Sequence, residues 1–187
     1  LRFDHFSLLA PFYDRIFTHH EPERWPSLLA LPTEGCLLDA GGGTGRVAES
    51  LRGLARQIVV TDVSSGMLHE AAQKDGLAPL QAHAELLPFP EASFERILVV
   101  DAFHHFCDQH EAAAELWRVL TPGGRLVIEE PNIETWPVKL IALAEWLALM
   151  GSHFYSPGEI KDMFEALGAR VEVHFDQVVN AWIVVEK

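Results

Sequence analysis

Three aspartates close apolar runs in this chain: Asp39 after Leu37-Leu38, Asp62 after residues 57–61, and Asp101 after residues 96–100. The first stands directly before a turn in which Gly41, Gly43 and Gly45 alternate, giving the spacing D-x-G-x-G-x-G. Glycine has no Cβ and takes φ > 0 freely, so a ligand can lie directly on the backbone of such a turn. Turns that hold dinucleotides read G-x-G-x-x-G and favour an approaching pyrophosphate. Here a carboxylate precedes the glycines, and it would repel a diphosphate while attracting a cation. Asp62 follows at the distance expected for a carboxylate gripping both hydroxyls of a ribose. The chemistry these residues favour is the binding of a nucleoside with an ammonium group and no phosphate.

The elements that must position these residues alternate along the chain. Residues 36–51 read as a buried strand, a glycine turn and a helix carrying Val47, Leu51 and Leu54 on its apolar side. Residues 57–62 form a β-branched run that suits a strand buried on both faces. Ser64 is placed to cap a helix with Met67, Leu68, Ala71 and Ala72 inward, and a short strand is expected near residues 80–82. Two prolines keep residues 85–94 irregular, and a further buried strand spans 96–101. Asp108 and Glu111 form a capping box for a helix burying Ala112, Leu116, Val119 and Leu120, which Thr121-Pro-Gly-Gly124 is expected to end. A strand over residues 125–130 follows, then a long helix over 133–150.

A last helix opens at Ser156-Pro-Gly-Glu159, and two strands near 170–175 and 180–186 complete the order. Their short connection requires an antiparallel pair. This alternation predicts an α/β fold, a mostly parallel sheet covered on both faces with an antiparallel hairpin at its end. One domain over 1–187 is expected, with residues 1–30 as an N-terminal helical cap and 131–156 as a helical insertion over the site.

Composition narrows the function classes. The chain has 187 residues, 49% apolar and 22% charged, with 14 basic residues against 27 acidic ones and a net charge of −13. That excess opposes nucleic-acid binding and favours a small-molecule partner. Two cysteines, Cys36 and Cys107, do not make a disulfide framework and suit a reducing cytoplasm. No signal peptide or membrane-spanning run is expected, and the absent initiator Met suggests a start after the true N-terminus. Adjacent His19 and His20 cannot both face one ion from regular structure, so no metal site is expected.

The motifs LLDAGGGTG (37–45), VVTDVSSGML (59–68), AELLPFPEASFERI (84–97), VVDAFHHF (99–106) and RVLTPGGRLVIEE (118–130) stand in one order and spacing. In these the chain resembles the class I S-adenosylmethionine-dependent methyltransferases, in the branch that includes ubiquinone and menaquinone C-methyltransferases. The resemblance implies a Rossmann-like sheet of seven strands, mostly parallel with the last antiparallel, and S-adenosylmethionine as cofactor. It implies that Asp39 orients the amino-acid part of the cofactor, that Gly41 and Gly43 admit it to the backbone, and that Asp62 holds the ribose diol. Val63 and Met67 would pack on the adenine and Ala84 would meet its edge. Val100, Asp101 and Ala102 would line the floor near the sulfonium, and Tyr13 would close over the methionine part.

One departure stands out. Relatives usually read G-D-A-E where this chain has Ala82-His83-Ala84-Glu85, so the acceptor for the adenine amino group would be His83. A neutral imidazole can accept that bond, and a protonated one cannot.

His104 and His105 follow the strand end beside which the transferring methyl would lie, so either is a candidate general base; shaping the pocket is the alternative role. The acceptor site would be roofed by the N-terminal helix, by Trp136 and Trp146, and by residues 153–155, a lining suited to an apolar or aromatic acceptor. The same 133–150 stripe could instead pack on the domain or on a second subunit, giving a homodimer. A non-catalytic binding module and a nicotinamide oxidoreductase are the rival classes, and the acid before the glycines argues against the latter.

Overall fold

The structure is a computed structural model that describes residues 23–139, 153–175 and 179–187. Seven strands form one sheet: β1 (Cys36–Ala40), β2 (Gln57–Asp62), β3 (Leu77–Gln81), β4 (Phe94–Val100), β5 (Leu120–Pro131), β6 (Arg170–Phe175) and β7 (Asn180–Glu186). Their order is β3-β2-β1-β4-β5-β7-β6, and only β7 runs antiparallel to its neighbours β5 and β6. The helices are α1 (Arg24–Leu28), α2 (Arg46–Ser50), α3 (Ser65–Ala71), α4 (Gln109–Val119) and α5 (Pro157–Glu165). The expected Rossmann-like sheet with its terminal antiparallel strand is the one found.

The central strands are apolar on both sides because both sides are covered. Leu38, Ile97, Val99 and Ile128 face one layer with Leu116 of α4 and Ile160 and Phe164 of α5. Leu37, Ile58, Val60, Leu98 and Val127 face the other with Trp25 of α1 and Val47 of α2. Each such side chain contributes about 1.5–3 kcal/mol on leaving water. Strand order reverses between β1 and β4, so the carboxyl ends of these two strands diverge and open a crevice.

Several local expectations need correction. Helix α2 stops at Ser50, and Leu54 packs from the turn beyond it. Ala72 is the C-cap of α3 and exposed, so Met67, Leu68 and Ala71 alone form its buried side. Strand β3 starts at Leu77, because Leu77–Gln81 pairs in register along β2 from Ile58 to Asp62. Residues 121–124 do not separate helix from strand. Leu120 already pairs with Phe94, and an irregularity lets Arg125 resume opposite Arg96. The end of α4 is finished from afar: Lys187 Nζ donates to the carbonyls of Trp117 (2.6 Å) and Leu120 (2.9 Å).

The capping box at Asp108 is half made. The Glu111 N–H donates to Asp108 at 3.0 Å, but the Asp108 N–H donates to Glu85 at 3.1 Å. Ser156 and Glu159 form the complete box expected for the last helix. The helix expected over 133–150 starts later, because residues 133–135 form a turn and 136–139 are helical; residues 140–150 and residues 1–22 of the expected N-terminal cap lie outside the described residues. No helix among the described residues is long and apolar enough to cross a membrane.

Candidate active site

The carboxyl ends of β1, β2, β4 and β5 deliver their acids to one edge of the sheet. Asp39 is 1% exposed, and its Oδ1 is buried with no hydrogen-bond partner. Burial, and then the charge of Asp62, push its carboxyl up to about 7, against the opposing pull of Arg46, Lys74 and a backbone hydrogen bond at Ala48. Such a group holds its negative charge at a cost that a cation alongside would repay.

The glycine turn is built to expose backbone. Gly41, Gly43 and Gly45 lie at φ +71°, +56° and +70°, and the N–H groups of Gly41 and Gly42 donate to the Thr61 carbonyl at 2.8 and 3.0 Å. A Cβ at Gly41 would stand 2.7 Å from Ala102 Cβ, so the turn also packs against the residue that follows β4 and Asp101. Asp62 accepts the Gly43 N–H on Oδ2 at 2.9 Å and the Ser64 N–H on Oδ1 at 2.8 Å. A carboxylate oxygen has two lone pairs, so a group held in this way can accept from a ligand hydroxyl as well as from backbone. Beside Asp62, Met67 is buried and Val63 is exposed, one behind the site and one at its rim.

The loop after β3 turns back on itself. The Ala82 N–H donates to the Asp62 carbonyl at 3.1 Å, and Ala84 is buried. His83 points outward, with 66% of its side chain exposed and Nδ1 3.8 Å from Glu85 Oε2. Glu85 was not singled out by its sequence, yet its Oε1 accepts the N–H groups of Cys107 (2.6 Å) and Asp108 (3.1 Å). It ties this loop to the start of α4.

Past Val100, Asp101 takes a left-handed backbone (φ +50°), and its N–H donates to the Glu129 carbonyl at 3.0 Å. Loss of hydration within the crevice, and then Glu130, raise the Asp101 carboxyl to about 6. A 3-10 turn over Phe103–His105 follows, starting behind the buried Ala102. His104 is buried, with its Nδ1 2.6 Å from Glu130 Oε2. Its ring stacks on Phe154 at 4.4 Å and lies 4.0 Å from that of His105. Burial and the neighbouring His104 push the His105 imidazole down to about 3.

Arg46 and Gly42 also escaped the sequence reading. Arg46 Nε and Nη1 are buried without a hydrogen-bond partner, and its charge favours the ionised forms of Asp39, Asp101 and Glu129. The signal for Glu129 and Glu130 was available: two acids close an apolar strand run, as Asp39 does. Tyr13 and Trp146 lie outside the described residues.

Residues 38–128 match the family described as a methyltransferase domain. The chain is similar to the demethylmenaquinone methyltransferase of Deinococcus radiodurans, at 37% identity over 67% of this chain and 58% of that protein. It is also similar to the ubiquinone/menaquinone biosynthesis C-methyltransferase of Hahella chejuensis, at 31% identity over 75% of this chain and 61% of that protein. Residues 38–128 therefore carry a methyltransferase domain, and the likeness is to the S-adenosylmethionine-dependent methyltransferases. The chain spans less than two thirds of the length of these two curated relatives.

The methyltransferase fold extends beyond the matched motifs. A chain from the complex between the Haloferax volcanii Trm112 methyltransferase activator and the putative methyltransferase superposes with a TM-score of 0.81 at 20% identity. That match covers 100% of this chain and 99% of the other. The residues present fit the methyl donor of the family: an orphaned, buried carboxylate oxygen suits its cationic groups, and a pinned carboxylate at Asp62 suits its ribose.

Proposed function

We propose that this chain catalyses methyl transfer from S-adenosylmethionine to a small apolar or aromatic acceptor by in-line displacement. The observation that carries the reading is Asp39. Its buried, unpartnered Oδ1 sits at the strand-order reversal beside a left-handed glycine turn, with the charge of Asp62 acting against its own. A dinucleotide's phosphates would meet that carboxylate at a cost, and an ammonium would relieve it.

When bound, the cofactor supplies a methyl group made electrophilic by its positively charged sulfur. Asp39 orients the amino-acid part, Gly41 and Gly43 bring backbone against it, and Asp62 takes the ribose hydroxyls. Val63 and Met67 flank the adenine, with Ala84 and His83 at its edge and Val100, Asp101 and Ala102 under the reacting end. Tyr13 closes over the methionine part. The protein's main task is then alignment and exclusion of water, which is worth more here than any single catalytic group. His104 or His105 takes the proton that the acceptor gives up.

Similarity to a demethylmenaquinone methyltransferase and to a ubiquinone/menaquinone biosynthesis C-methyltransferase supports a quinone-ring carbon as acceptor. Trp136 and the aromatic run at 153–155 supply an apolar roof of matching character. The site works in the cytoplasm as a single domain, and the apolar stripe over residues 133–150 is where a second copy would pack.

The test is a direct one. S-adenosylhomocysteine is expected to raise the melting temperature while NAD does not, and radiolabelled methyl is expected to pass from S-adenosylmethionine to reduced demethylmenaquinone. Stabilisation by NAD alone would overturn the cofactor reading. Cofactor binding without transfer to any quinol or phenol would favour a non-catalytic binding module.

A further inference from the structure

Arg46 is the first residue of α2, and the turn before it sets its place. Gly45 lies at φ +70°, and a Cβ there would stand 2.6 Å from Leu77 Cδ1 and 3.6 Å from Val60 Cγ2. The turn is therefore pressed onto β2 and β3. Val47 and Ala48, the next two residues, are buried in the layer over Leu37 and Ile58 and anchor α2 there.

This start puts the guanidinium among acids from three strands. Its charge acts on Asp39 of β1, Asp101 after β4 and Glu129 of β5, and favours the ionised form of each. Yet Nε and Nη1 of Arg46 are buried with no hydrogen-bond partner, so none of the three carboxylates accepts from them. Asp39 is the counterpart: it is 1% exposed, and its Oδ1 is buried and equally unpartnered. Lys74, the other cation acting on Asp39, is paired with Glu49 at 3.5 Å.

We propose that Arg46 and Asp39 form a two-point clamp for a zwitterion, with Arg46 Nε and Nη1 donating to the α-carboxylate of the methyl donor and Asp39 Oδ1 meeting its α-ammonium. This rests on the methyl-donor reading above and adds a selection to it. The site takes a ligand with a free amino-acid end and rejects one whose carboxylate has been removed.

A buried guanidinium donor without an acceptor is costly, and a carboxylate is the acceptor that its charge and planar shape match. A zwitterion answers both unmet charges and brings no net charge of its own. A phosphate would suit Arg46 but face Asp39, and a simple amine would suit Asp39 but leave the donors of Arg46 unmet and its charge opposed. The other two acids resist a ligand carboxylate less than their number suggests. Loss of hydration raises Asp101 to about 6 and Glu129 to about 7, and Glu129 Oε1 already accepts from Asn180 Nδ2 at 3.0 Å.

The experiment titrates the full chain calorimetrically with S-adenosylhomocysteine and with S-adenosyl-3-thiopropylamine, the same molecule without its carboxylate. The wild-type chain is expected to bind the amine about 30-fold more weakly. In Arg46→Met, affinity for S-adenosylhomocysteine should fall by about the same factor. The amine should bind that variant as tightly as before or more tightly, because a like charge has gone from beside its ammonium.

Equal losses for both ligands in Arg46→Met would make Arg46 a counter-ion to the acids alone and overturn the clamp. A wild-type chain that binds both ligands with one affinity overturns it too. Should Arg46→Met not fold, the wild-type chain labelled with 15N at arginine decides the matter. The Arg46 Nε–H signal is expected to shift downfield with S-adenosylhomocysteine and to stay in place with the amine; a signal unmoved by S-adenosylhomocysteine overturns the assignment. If neither ligand binds, the methyl-donor reading itself fails, and the clamp fails with it.

Discussion

The backbone at Gly42 passes so close to Asp39 that a Cβ built there would stand 2.4 Å from the Asp39 Cγ and 2.5 Å from its Oδ2. Gly42 has no left-handed φ, and the three atoms nearest to such a Cβ all belong to that carboxylate. Gly42→Ala is expected to displace Asp39 and weaken S-adenosylhomocysteine binding by more than about tenfold, on the order of 1.4 kcal/mol. Calorimetric titration reads this directly. Wild-type affinity in the variant would mean that Asp39 does not hold the ligand in this position.

Asp39, Asp101 and Glu129 have folded values of about 7, 6 and 7, each raised chiefly by loss of hydration. A folded value above the unfolded one means that the native chain holds protons the unfolded chain has released. The stability this contributes is complete below about pH 4 and is lost as pH rises through 6 to 7. The ligand-free chain is therefore expected to melt lower at pH 8 than at pH 5. Asp39→Asn removes part of that fall, melting roughly 4 °C higher than wild type at pH 8 and close to it at pH 5. A melting temperature that rises steadily from pH 5 to 8 would contradict the shifts.

The same carboxyl predicts how ligand affinity follows pH. Asp39 must be ionised to meet an ammonium group, so affinity for S-adenosylhomocysteine should tighten as pH rises to about 7 and level off above it. Between pH 6 and pH 8 the expected gain is roughly fivefold to tenfold. A flat profile counts against contact between Asp39 and the cation.

His83 stands where the family resemblance places an acid, and most of its side chain is open to solvent. His83→Asp would restore a carboxylate acceptor for the adenine amino group, and hydrogen bonds to charged groups are worth about 1.5–3 kcal/mol. Affinity for S-adenosylhomocysteine is expected to improve by roughly tenfold. No change would place the adenine edge away from residue 83.

Glu85 Oε1 holds two backbone N–H groups, those of Cys107 and Asp108, across the gap between the β3–β4 loop and α4. Removing the acceptor in Glu85→Ala should cost about 2 kcal/mol, seen as a melting temperature lower by roughly 6 °C. Glu85→Gln keeps an oxygen in place and is expected to recover most of that loss. Equal melting of both variants and wild type would show that water replaces the carboxylate freely.

Where the sequence sufficed, the cause was local or repetitive. Apolar runs closed by Asp39, Asp62 and Asp101 imply strands delivering acids to one edge, because residues at strand ends share an edge once the strands are parallel. Glycines at 41, 43 and 45 imply a left-handed turn because other residues pay for that backbone. The caps at Ser64 and Ser156 were legible because capping is settled within four residues.

Only the tertiary structure decided the rest. Glu85 reaches across 23 residues of chain to cap α4 in place of Glu111, and Lys187 closes the other end of that helix. Glu130 meets His104 across 26 residues, a pairing created by the register of β4 against β5. Such contacts depend on which strands lie side by side, and hydrophobic periodicity constrains faces far more tightly than neighbours. Residue type and spacing by themselves implied a cationic nucleoside beside Asp39. Only the tertiary structure decided that this carboxylate is stripped of water, with Oδ1 unpartnered, and that His104 lies against Glu130, because burial depends on which elements pack together.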